Sequence, residues 1–140
     1  MDVTQRAVDF LRIAKDEKHV SREKIINRNR KYYYALNNLL YFKIKCEINN
    51  ANNTQVWDAL AEELSAAKEN KKEYWQFRFD HTLAFYEYRK FIISKKQAKP
   101  NSAHLFAAND YIKIALKGLV IDKEDYDDLQ KEISKQIGQL

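Results

Sequence analysis

Arg78, Asp80 and His81 stand within four residues of one another, the most catalytic-looking grouping in the 140-residue chain. On a helix Arg78 and His81, at i and i+3, share a face that can also include Tyr74 or Tyr88. A cation beside a titratable imidazole is the start of a general acid–base centre for phosphodiester cleavage. No third group in the sequence completes such a centre, and a His on an aromatic helix also serves simply as a packing residue. The expectation is therefore a binding protein and not an enzyme.

Other chemistries fail on residue type or spacing. The chain has one cysteine, Cys46, and His19, His81 and His104 are far apart, so no zinc-ligand spacing is present. Gly118 and Gly138 are isolated, which leaves no glycine-rich loop to cradle a phosphate. The pairs Glu62/Glu63, Glu124/Asp125 and Asp127/Asp128 fall on strongly charged faces, whereas a glycosidase needs two carboxyls across a cleft. No metal and no cofactor are expected.

The Arg and His content resembles, in part, the HEPN ribonucleases, small helical proteins with an Arg followed by four to six residues and then His. Tyr33-Tyr34-Ala35 is similar to an aromatic helix found in several of them. The resemblance covers a few residues and departs from the pattern at its centre. Only two residues separate Arg78 from His81, and His104 has no Arg at the required spacing upstream. A helical ribonuclease is accordingly carried only as a remote alternative.

The elements that must position these side chains are helices. Two Gly and one Pro are too few to build the turns of a sandwich or barrel. Helical periodicity marks about six segments, Val3 to His19, Ser21 to Ile48, Thr54 to Lys68, Glu73 to Ile93, Ser102 to Gly118, and Asp122 to the end. The expected fold is all-α, a single-domain bundle over residues 1–140 in antiparallel hairpins, with a possible sub-boundary at a basic linker, residues 94–101. The second helix is the longest and reads as the spine. Inner faces are expected from Val3, Ala7, Phe10, Leu11 and Ala14, from Val56, Leu60, Leu64 and Ala67, and from Tyr126, Leu129, Ile133, Ile137 and Leu140. Asn101 or Ser102 caps the fifth helix, Gly118 ends it, and Cys46 reads as a small buried side chain.

No apolar run approaches the roughly 18 to 20 residues of a membrane span, and Asp2, Arg6 and Asp9 interrupt any signal-peptide core. A protein kept in the reducing cytoplasm is expected. The net charge of +5 is unevenly spread. Residues 1–50 carry 11 basic and 6 acidic side chains, residues 94–118 carry 5 and 1, and the last 22 residues carry 3 and 6.

Two kinds of partner follow. Tyr74, Trp75, Phe77, Tyr86 and Tyr88 give the fourth helix more aromatic surface than one core-facing side uses, which points to a protein interface or a homo-oligomer. The competing reading is that this helix is central and buried all round. Lys24, Arg28 and Lys31 fall on one face of the second helix, with Arg30 nearby, and together with Lys95, Lys96 and Lys99 they point to nucleic acid. Protein interaction is the first expectation and nucleic-acid binding the alternative.

Overall fold

The computed structural model describes residues 3–15, 22–47, 54–70, 75–118 and 123–140. These form six helices, α1 (Val3–Lys15), α2 (Arg22–Cys46), α3 (Thr54–Asn70), α4 (Phe77–Lys96), α5 (Ser102–Ala115) and α6 (Lys123–Gly138), with no strand among the described residues. The all-helical bundle expected from the periodicity is what forms. Ser21 and Asp122, expected to begin the second and sixth helices, lie outside the described residues, as does Tyr74.

α4 is the hub, although α2 is longer. It packs on α2, α3, α5 and α6, and six consecutive residues, Phe79 to Ala84, are buried. A helix exposed on one side cannot bury six in a row at 3.6 residues per turn, so α4 is enclosed along this stretch. One side of it joins Tyr32, Leu36, Leu40, Trp57 and Leu64 through Phe79 and Leu83. The other side joins Leu105, Ile112, Leu129 and Ile133 through Ala84, Tyr88 and Phe91. Phe85 and Tyr111 touch both clusters and weld them into one bundle.

Helix directions follow from paired contacts. Arg78 meets Tyr34 and Phe85 meets Tyr41, so α2 and α4 run parallel. His81 meets Tyr126 and Lys95 meets Gln136, so α6 runs with them. Asp58 meets Lys90 and Lys68 meets Asp80, which sets α3 antiparallel to α4. Glu87 with His104 and Ser94 with Asn101 do the same for α5.

Several boundaries and faces differ from the sequence expectation. Trp75 and Gln76 precede α4, with Gln76 in extended backbone, and the helix continues through Lys95 and Lys96. Pro100 restricts Lys99 and nothing earlier, while cations in a last turn suit the helix dipole, so the basic linker shortens to residues 97–101. Phe10 is 71% exposed, and Val8 takes the inner position with Ala7 and Leu11. Trp57 replaces Val56 in the core, because the stripe shared by Leu60, Leu64 and Ala67 extends equally well to either residue and the larger ring wins the site. The Trp57 indole N–H donates to Glu47 Oε2 at 3.0 Å, satisfying its one polar atom. Cys46 is exposed, since the inner stripe through Leu36, Leu40 and Ile44 passes it by.

Asn101 caps α5, its side chain accepting from the Ala103 N–H at 3.1 Å. Gly118 does not act as a left-handed cap: the helix ends at Leu116, and neither glycine has positive φ. Its missing Cβ makes room for the Phe77 side chain, which lies where that atom would be.

Candidate nucleic-acid interface

Every third and fourth residue of α2 from Lys24 onward falls on one stripe, namely Lys24, Asn27, Lys31, Tyr34, Asn38, Tyr41 and Lys45. Lys24, Asn27, Lys31, Tyr34 and Lys45 are exposed, and Asn38 and Tyr41 are half-buried. No acid and no aliphatic residue interrupts these seven positions. The opposite face of α2 carries Tyr32, Leu36, Leu39 and Leu40 into the core, which fixes the stripe outward.

Cations from three positions lie on aromatic rings along the α2–α4 seam. The Arg78 guanidinium sits 4.9 Å from the Tyr34 ring centre, and the Lys45 ammonium 4.9 Å from that of Tyr41. Arg89 sits 5.9 Å from the Phe85 ring, itself 5.3 Å from Tyr41. Tyr34 is 42% exposed, so part of its ring faces solvent beside Arg78. Partial burial lowers the Arg89 pKa, opposed by nearby Tyr88 and Glu132.

His81 lies in the same seam but faces inward. It stacks on Tyr126 of α6, and Tyr41 of α2 covers it at 5.7 Å. Burial lowers its pKa to about 4, with Asp125 pulling the value up and Lys45 pushing it down. Arg78 and His81 thus contact different rings, Tyr34 on one hand and Tyr41 and Tyr126 on the other. The acidic first turn of α6, Glu124 and Asp125, borders this end of the seam.

Lys24, Arg30 and Lys31 are exposed on α2, whereas Arg28 is half-buried, so the outward line runs through Asn27 instead. Lys95 and Lys96 are exposed at the far end of α4 and Lys99 in the turn beyond. From Arg78, level with Tyr34, to Lys95 is about 25 Å at ~1.5 Å per residue. The two basic sets expected to cooperate are therefore at opposite ends of the bundle.

Among the aromatic candidates, Tyr86 and Tyr88 are buried inside the chain. Tyr86 donates its hydroxyl proton to Asp58, which also accepts from Lys90 Nζ at 3.0 Å. Burial, reinforced by that carboxylate, drives the Tyr86 pKa far upward. Trp75 is half-buried and Phe77 exposed beside Gly118. Tyr41, Asn38 and Lys45 were missed as site residues by sequence reasoning, although their alternating three- and four-residue spacing continues that of Lys24, Asn27 and Lys31. Against protein-family models, curated proteins and solved structures, the chain has no match.

No helix among the described residues is long and apolar enough to cross a membrane. Among them, too, no cluster of three or more His, Cys, Asp or Glu residues has the arrangement to hold a metal ion.

Proposed function

We propose that the protein binds nucleic acid along the outer face of α2, as a non-enzymatic module. The carrying observation is the seven-position stripe of lysine, asparagine and tyrosine, flanked at Tyr34 by Arg78. Lysines neutralise phosphate, asparagines donate and accept hydrogen bonds, and a partly open tyrosine ring offers a stacking surface. From Lys24 to Lys45 the stripe spans about 32 Å, room for roughly nine nucleotides at ~3.4 Å each. The acids of α6 repel phosphate and set one edge of the path. Arg78 and His81, the pair with catalytic types, each rest on aromatic rings, which favours binding over cleavage. A lone exposed thiol, Cys46, fits the reducing cytoplasm.

The alternative of a protein partner or a second copy draws on Phe77. Its other expected anchors are less available, because Tyr86 and Tyr88 point into the chain's own core and Trp75 is held by Asp80.

Fluorescence anisotropy with labelled single-stranded and duplex RNA and DNA of about 12 nucleotides tests the proposal. Affinity tighter than about 10⁻⁴ M in low salt is expected, with a log–log salt slope of roughly −2 to −4.5 for three to five phosphate contacts. No binding in low salt overturns it, and concentration-dependent sedimentation without nucleic-acid affinity transfers the argument to the protein partner.

A further inference from the structure

Asp80 is fully buried, yet its carboxylate has two donors of different character. Trp75 Nε1–H donates to Oδ2 at 2.6 Å, and the Lys68 ammonium reaches Oδ1 at 3.0 Å. That ammonium also lies 5.5 Å from the Trp75 ring centre and 5.2 Å from that of Tyr111. Both rings are held from behind. Phe79 meets the Trp75 indole edge-on at 5.2 Å, and Tyr111 packs against both core clusters.

A buried carboxylate with two aromatic faces is the arrangement that recognises an organic ammonium, combining charge with the negative faces of the rings. Because Trp75 takes Oδ2, a cation has Oδ1 alone. The two-pronged contact that a guanidinium prefers is therefore denied, and a single-point ammonium fits. The Lys68 side chain is 34% exposed, so the position it fills opens to solvent along its own stem.

We propose that Asp80, Trp75 and Tyr111 form a binding site for primary or methylated alkylammonium groups, which the chain's own Lys68 occupies as an internal ligand. Withdrawing Lys68 leaves Oδ1 of a buried carboxylate without its cation and two ring faces without theirs, and an external alkylammonium restores the pairing. The site is separate from the α2 stripe and does not rest on the nucleic-acid reading.

Chemical rescue tests this. Lys68→Ala should melt lower than the wild type, and methylammonium chloride should raise its Tm by about 2 °C or more over an equal concentration of sodium chloride. The wild type, already filled, should show no such difference, and neither should Lys68→Ala combined with Asp80→Asn. Nα-acetyl-lysine amide is run in parallel. Rescue by both compounds assigns the site to lysine side chains as well as free amines, and rescue by methylammonium alone to free amines. Absence of rescue by either, or equal rescue after Asp80→Asn, overturns the proposal. Should Lys68→Ala not fold, reductive ¹³C-methylation of the wild type gives a second readout. The dimethylated Lys68 resonance, assigned by its loss in Lys68→Arg, should be displaced upfield by the two rings, and coincidence with the surface lysines overturns the assignment.

Discussion

The imidazole of His81 and the phenol ring of Tyr126 lie face to face, their centroids 3.9 Å apart and their planes 1° from parallel. This contact joins the central helix to α6, and burial within it disfavours the charged imidazole. An acid-sensitive joint follows. In the folded chain His81 binds its proton near pH 4, and in the unfolded chain near 6.5. Between those values the unfolded state holds more protons, so stability rises with pH. The contribution is complete above about 6.5 and lost as pH falls to about 4, amounting to about 3 kcal/mol. His81→Phe keeps a ring in the stack and cannot titrate. Denaturant melts from pH 7 to 4 should show the wild type losing stability faster than this variant, and parallel profiles would refute the assignment.

The turn after α4 stores strain at one residue. Ala98 has φ of 58°, the Ala98 N–H donates to the Lys95 carbonyl, and the Lys99 N–H to that of Ser94. This is a Schellman closure with alanine where glycine is favoured. Ala98→Gly should stabilise by about 0.5–1 kcal/mol, because the left-handed conformation carries a Cβ penalty that glycine lacks. Ala98→Val should destabilise. Thermal melts order the three proteins, and a glycine variant less stable than alanine would contradict the strain.

Gly118 and Phe77 form a coupled pair. Any Cβ at position 118 overlaps the Phe77 side chain near its root, where rotation gives little relief. Gly118→Ala should therefore cost about 1–3 kcal/mol, as overpacking does. In a Phe77→Ala background the same change should cost much less, and a double-mutant cycle measures the difference. Additive effects would show that the glycine matters for another reason.

The phase of the amphipathic helices was legible in the sequence, though not at every position. Of the stripe expected on α6, Tyr126, Leu129 and Ile133 are buried and Ile137 is half-buried, while Leu140, past the helix end, is 63% exposed. A helix with one wet side writes its orientation in its period. Central α4 does not, because its buried run from Phe79 to Ala84 includes the polar Asp80, His81 and Thr82, so polarity marks no wet side there, and aromatic surplus alone fits core and interface equally. Phe10 and Val56 misled for the opposite reason, being apolar residues placed in solvent while Val8 and Trp57 took the inner positions. Of the candidate site, the basic character of α2 was readable. The distance between Lys31 and Lys95 was not, since it depends on α2 and α4 running parallel.

That separation gives the sharpest test of the α2 surface. If a polyanion lies along the stripe, Lys24→Glu with Lys31→Glu removes two phosphate contacts and adds two repulsive charges. Binding should weaken for all sequences alike, and the log–log salt slope should flatten by about 2, because phosphate contacts release counterions without reading bases. Lys95→Glu with Lys96→Glu makes the same change in net charge about 30 Å along the bundle from the level of Lys31. At about 0.15 M salt the Debye length is near 8 Å, so this pair should leave both affinity and slope nearly unchanged. All four positions are exposed, so the fold should survive in either variant. Equal losses from the two pairs would mean that binding responds to net charge and not to the face of α2, and the stripe would then be an ordinary solvated surface.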